Sequence, residues 1–127
     1  MRIISFAYTT PALLAGRKTV TRREWDADYA CLFHAGDQVA AWDKSPRYGG
    51  KQVGVIQLLQ DPYPEDLADM TESDYEAEGF AYLAEQRIRP PQWCGFQDFS
   101  PSSFERWRQS GGSVIVVRFE LRAPVLL

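Results

Sequence analysis

The chain has 127 residues and a mass of 14.5 kDa, with 14 lysines and arginines against 17 aspartates and glutamates, a formal net charge of −3. That length suits one domain, residues 1–127, able to fold without a disulfide or metal staple, and 45% hydrophobic with 24% charged residues excludes a disordered or fibrous chain. The longest apolar runs, such as Val114–Val117, fall far short of a membrane span. The opening MRIISF turns polar at once and predicts no secretory leader, so the expected compartment is the cytoplasm.

Arg2–Tyr8 alternates weakly and predicts a first strand. Thr10-Pro11 places an N-cap residue before proline at the first helical position, and a short helix follows through Ala15 until Gly16 stops it. Thr19-Val20-Thr21 is β-branched throughout and predicts a strand. Ala35-Gly36-Asp37 is a turn leading into a strand at Gln38–Trp42, and the loop Asp43–Gly50 separates this from a strand at Lys51–Leu59. Pro64 predicts a turn or short helix reaching about Asp69. Thr71 then caps a helix through Phe80, with Glu72 and Asp74 in its first turn, where the macrodipole favours anions. The proline- and aromatic-rich stretch Arg87–Ser100 is expected to be an ordered loop. Ser100-Pro101 repeats the cap–proline pair and opens a helix through Arg108, closed by Gly111-Gly112. Ser113–Leu121 is the strongest strand of the chain. About five strands and three or four short helices, too scattered for regular βαβ units, predict an α+β protein: a small curved or closed sheet with helices at its ends.

The net charge conceals three unequal pieces. Residues 1–60 carry 8 basic and 5 acidic side chains, residues 61–86 carry 9 acids and no base, and residues 87–127 carry 6 basic and 3 acidic. Arg17, Lys18, Arg22 and Arg23 concentrate the first basic piece into a patch able to hold a phosphate, because contact electrostatics act within about a Debye length. His34 is the only histidine and Cys31 and Cys94 are the only cysteines. That supply argues against a zinc site and against Ser-His-Asp or Cys-His chemistry, and the cysteines are expected to be reduced thiols. Any catalysis is therefore expected to run on Lys, Thr, Glu and backbone groups, with no metal and no cofactor.

The string Leu14-Ala15-Gly16-Arg17-Lys18-Thr19-Val20-Thr21-Arg22-Arg23 resembles the signature of the ASCH family, the activating signal cointegrator homology domains of the PUA-like β-barrel superfamily. Gly36-Asp37 before a strand, the acidic stretch Thr71–Phe80 and the strand Val114–Leu121 agree with it in order and approximate spacing. The resemblance implies a small barrel of about five to six strands with short helices covering its ends. Among small bacterial ASCH proteins are amidohydrolases that remove the acyl group from N4-acetylcytidine. Their apparatus, carried over by resemblance, puts a lysine at Lys18, a threonine at Thr21 and a glutamate at Glu78, with Arg23 matching an arginine just beyond the threonine.

Those residues make chemical sense together. A threonine hydroxyl is inert near neutral pH unless a base takes its proton, and a desolvated lysine beside other cations is such a base. Glu78 is expected to relay a proton to the leaving amine or to accept hydrogen bonds from a cytosine amino edge. Strict alternation puts Lys18 and Thr21 on opposite strand faces, so their cooperation requires Lys18 to lie in the turn after Gly16. Arg17, Arg23, Trp25, Ser5 and Thr9 are the candidate substrate-binding residues, with Trp25 stacking on a base; Arg22 is expected to be structural. Trp42, Trp93 and Trp107 are expected to pack in the core or between elements. The expected activity is metal-free amide hydrolysis of an N4-acylated cytidine. The alternatives are a non-catalytic binding module for RNA or a modified nucleotide, and a ribonuclease. The expected partner is a modified nucleoside or a short RNA segment, met by a monomer or weak dimer away from any membrane. Compared with the acetylcytidine enzymes, the chain carries a longer loop around Lys44–Lys51 and an added segment, Arg87–Phe99.

Overall fold

The fold is organised by its last strand. A computed structural model describes residues 1–124; the final three positions of the predicted 1–127 domain lie outside the described residues. Six strands form one sheet: β1 (Ile3–Ser5), β2 (Val20–Arg23), β3 (Gln38–Trp42), β4 (Gln52–Leu58), β5 (Tyr63–Asp66) and β6 (Ser113–Pro124). Its order is β1-β3-β4-β6-β2, with β5 also on β6. The 12-residue β6 serves three partners. Its first half lies between β2 (Arg23↔Ile115) and β5 (Tyr63↔Val116), and its second half pairs with β4 (Leu58↔Phe119). Register shifts at Ala41/Trp42 and Val55/Ile56 bend the ladders, as bulges do. The sheet curls into a half-barrel whose end strands, β1 and β2, are not paired as a ladder.

Five short helices complete the α+β architecture: α1 (Thr10–Leu14), α2 (Ala27–Ala30), α3 (Asp74–Ala77), α4 (Phe80–Glu85) and α5 (Pro101–Ser110). The Ser100-Pro101 signature begins α5 as expected, with the Ser100 hydroxyl accepting from the Ser103 amide. Inside the curl, Ile4, Phe6, Leu13, Phe33, Val39, Ile56, Leu58, Val117 and Phe119 form one apolar cluster. A second cluster under the helices joins Ala12, Leu67, Met70, Phe80, Leu83, Phe99, Phe104 and Val114. A cavity lies between the two, bounded by Phe6 of the first and Phe80 of the second. Among the described residues no helix is long and apolar enough to cross a membrane.

Three expectations fail for identifiable reasons. Pro64 begins no helix: Tyr63–Asp66 is a strand, because the flank of β6 beside Val114–Val116 offers a ladder that outweighs local preference. Pro64 suits that edge, since it has no N–H to leave unpaired. The acidic helix is two helices, not one, separated at Gly79, whose φ of +94° no other residue type adopts easily. A Cβ there would also meet the Ala12 Cβ at 2.7 Å. Trp93 packs in no core and is 73% exposed, because Gln92–Cys94 forms a single 3-10 turn on the surface of the 87–99 segment.

Gly79→Ala is expected to cost about 1–3 kcal/mol, from overpacking and backbone strain together, measured as a lower urea midpoint at unchanged denaturant slope.

Candidate functional site

Lys18 is positioned entirely by backbone. It precedes β2, in the turn after Gly16, where its own amide donates to the Ala12 carbonyl at 3.1 Å and the Thr19 amide donates to the Ala77 carbonyl at 2.8 Å. These bonds wedge the 17–19 segment between the C-termini of α1 and α3 and aim the Lys18 side chain at the end of α3. There its ammonium donates to the Glu78 backbone carbonyl at 2.8 Å and to Glu78 Oε1 at 3.0 Å. The first bond satisfies a carbonyl that the helix leaves orphaned, at the negative end of its dipole. Both side chains are buried, Lys18 at 2% and Glu78 at 4% exposure. Burial holds the lysine below its ordinary value of 10.5, and the nearby Arg23 and Arg22 push the same way while Glu78 opposes them.

Glu78 continues into a buried ionic chain. Its Oε2 accepts from Arg22 Nη1 at 2.8 Å. Arg22 also donates to Asp74 Oδ2 at 2.5 Å and to Glu65 Oε1 at 2.9 Å. Asp74 accepts in turn from Arg118 at 3.0 and 3.2 Å, and Arg118 Nε donates to the Tyr63 hydroxyl at 2.9 Å. Arg22 is the structural residue expected: its side chain has no exposure and spends its whole fork on three carboxylates.

On the opposite face of β2, Arg23 Nε donates to Thr21 Oγ1 at 3.2 Å, and its Nη2 donates to the Ser5 carbonyl at 2.6 Å, a single bond across the open seam of the half-barrel. The same guanidinium lies over the Phe6 ring, 5.6 Å from its centroid. Because β2 is an edge strand, residues from both of its faces reach one space. Lys18, Thr21, Arg22, Arg23, Glu78, Ser5 and Thr9 all line a cavity of about 230 Å³. The Thr9 hydroxyl is already committed, donating to the Phe6 carbonyl at 2.6 Å.

Two candidates stand elsewhere. Arg17 lies outside this cavity; its guanidinium pairs with Glu76 and Glu85 and sits over the Tyr82 ring. Trp25 stacks on Phe33 with centroids 4.7 Å apart, against the core within the curl. Two groups that sequence reasoning passed over do line the cavity. Phe80, Phe96 and Trp107 build its apolar wall, and Tyr8 presents a phenol there. Desolvation, with Cys94 and Glu78 nearby, pushes the Tyr8 hydroxyl up to about 12, so it stays a proton donor. Ala7, just before it, has φ +48°, an uncommon conformation for alanine. The aromatic content of Arg87–Phe99 was the one signal that could have identified Phe96. Among the described residues no cluster of three His, Cys, Asp or Glu side chains is arranged to hold a metal ion.

Arg22→Met is expected to lower stability by about 3–5 kcal/mol, because it strands buried carboxylates, measured by chemical denaturation. Burial alone would raise the Asp74 carboxyl, but the Arg118 and Arg22 bonds outweigh it and hold the group below 3.8. The corresponding stability is present above that pH and lost as pH falls through the folded value. The melting temperature is thus expected to drop below about pH 3.8, and Asp74→Asn is expected to flatten that slope.

No family model matches the sequence, and no curated protein matches it significantly. Among solved structures, the crystal structure of protein EF3133 from Enterococcus faecalis V583, described as a DUF984 protein, is similar in fold. The TM-score is 0.54 at 17% sequence identity, over 95% of this chain and 74% of that one.

Proposed function

We propose that the chain is an ASCH-type, PUA-like hydrolase that removes the acyl group from an N4-acylated cytidine without a metal. The observation that carries this reading is the convergence of Lys18, Thr21 and Glu78 on one cavity, with a buried amine held below its ordinary value. The dimensions agree with it. A cavity of 230 Å³ is smaller than the roughly 300–1,000 Å³ of drug-sized sites, so it accepts one ring and a small substituent, not a whole nucleotide. Phe6, Phe80, Phe96 and Trp107 offer the apolar faces that a pyrimidine needs.

In this reading Arg23 holds the Thr21 oxygen and leaves the hydroxyl hydrogen free for the Lys18 amine. Thr21 Oγ1 attacks the amide carbon while its proton passes to Lys18. The C–N bond then breaks, the acyl group stays on Thr21, and the cytosine amine leaves with the proton from Lys18. Water attacks the ester, giving a proton to Lys18; the bond between the acyl carbon and Thr21 Oγ1 breaks, Oγ1 takes that proton back from Lys18, and the acid leaves. Arg23 and the protonated Tyr8 phenol face the negative oxygen formed on the amide carbon, where such donors are worth about 10²–10³ in rate. Both Glu78 oxygens are already engaged, by Lys18 and Arg22, so its part is to orient the amine and balance its charge.

The RNA-binding alternative relies on Arg17 and Arg23 as a basic mouth. Arg17 is committed to Glu76 and Glu85, and Arg23 is bonded inside the seam, where it faces the cavity and not an extended strand. A small ligand fits these arginines better.

Wild-type protein in chelator is expected to hydrolyse N4-acetylcytidine, and Lys18→Met and Thr21→Val are each expected to abolish turnover with circular dichroism unchanged. The rate is expected to rise with pH through an apparent pKa below 10.5, as the lysine loses its proton. No turnover across a panel of N4-acylated cytidines overturns the proposal.

A further inference from the structure

The inner cavity has a neighbour. A second cavity, of about 510 Å³, is lined by Cys94, Gly95, Phe96, Gln97, Ser103, Arg106, Trp107 and Ser110. Phe96 and Trp107 line both spaces, edge to face with centroids 5.6 Å apart, and so form a shared wall. The inner space is walled by aromatic rings and the buried charges. The outer one adds hydroxyls, an amide and a guanidinium.

Arg17, Arg22, Arg108 and Arg118 each form an ion pair with a carboxylate. Among the described residues Arg106 forms none, and neither does Arg23, but Arg23 is partly buried and bonded to Thr21 and Ser5 whereas Arg106 is exposed. It is nevertheless held in place. Arg106 Nη2 donates to Ser103 Oγ at 3.0 Å, and Ser103, which is buried, donates to Asp98 Oδ1 at 2.6 Å. The Ser100 and Ser103 hydroxyls and the Ser100 amide hold the Asp98 carboxyl down at about 2, so it is ionised near neutral pH. Asp98 does not line the outer cavity, although its charge is close enough for Arg106 to help keep it ionised. One edge of the fork is thereby fixed, and its remaining donors have no protein partner among the described residues. A planar, oriented fork of this kind matches a phosphate better than a single charge does.

We propose that the outer cavity is a phosphate subsite and that the ligand is a phosphorylated nucleoside, its pyrimidine in the inner cavity and its phosphate on Arg106. This rests on the reading above for the identity of the ring, and it adds the substrate class: a mononucleotide in preference to a free nucleoside. Phe96 and Trp107 then flank the sugar between the two spaces, and Ser110 and Gln97 supply further donors around the phosphate.

The experiment compares cytidine with cytidine 5′-monophosphate by calorimetric titration, and N4-acetylcytidine with its 5′-monophosphate as substrates. Wild-type protein is expected to bind the monophosphate about tenfold or more tightly than cytidine, the gain of a charge-assisted contact. Arg106→Ala is expected to abolish that preference while leaving cytidine affinity and melting temperature unchanged, and Arg106→Lys is expected to restore part of it. Equal affinity for the two ligands, or a preference that survives Arg106→Ala, overturns the subsite. Hydrolysis of acetylcytidine with no phosphate preference leaves the hydrolase reading standing and removes only this inference. A phosphate preference lost in Arg106→Ala, without any hydrolysis, removes the hydrolase reading and keeps the subsite. Failure to bind either ligand removes both.

Discussion

The Arg22 guanidinium is the constraint on which the rest of the site depends. Three carboxylates from three places in the chain, Glu65, Asp74 and Glu78, meet on one fully buried fork. Each charge taken out of water costs several kcal/mol, and only complete pairing with good geometry offsets that. Here the pairing is complete: Lys18 occupies the remaining Glu78 oxygen, and Arg118 the remaining side of Asp74. Such a network contributes little net stability over an apolar core, but breaking it by removing one partner is costly. If β2 slipped by one residue on β6, Arg22 would face the wrong side and strand the three acids. Backbone bonds place Lys18, and its ammonium is coupled to Arg22 because both basic groups share the same glutamate.

The two faces of β2 do different work. Arg22 faces the helices and fixes where α3 lies against the sheet. Thr21 and Arg23 face the seam, where the curled sheet stops short of closing. A closed ladder between β1 and β2 would have consumed the Ser5 carbonyl; the open seam leaves it to Arg23 and leaves room for a cavity beside Phe6. Helix dipole, desolvation and an unclosed sheet edge thus converge within a few residues. That combination produces shifted ionisations in an otherwise ordinary small protein.

Much of this was legible in the residues and some was not. Gln38–Trp42, the helix at Ser100-Pro101 and the long closing strand carry strong local signals, and they stand where those signals put them. The turn location of Lys18 followed from strand alternation once the family likeness had joined it to Thr21. Glu78 and Lys18 are 60 residues apart in the chain, and their meeting was indicated only by family likeness. Local preference misplaced Tyr63–Asp66, because the ladder it joins belongs to residues 113–116. It also misjudged Arg17, whose partners Glu76 and Glu85 flank a kink that no periodicity announces. Tyr8 carried no motif. Its importance comes from rings contributed by distant segments.

β6 imposes an order on synthesis as well as on space. It is the last described element to be made, yet β2, β4 and β5 all depend on it for pairing. Until residues 113–124 leave the ribosome, the β1-β3-β4 ladder is a fragment with an open edge, and β2 has no partner at all. Arg22 and its three acids wait in water during that interval, where their charges are solvated and unpaired. Closure of contacts this distant in sequence is slow and leaves strand edges exposed to neighbouring chains.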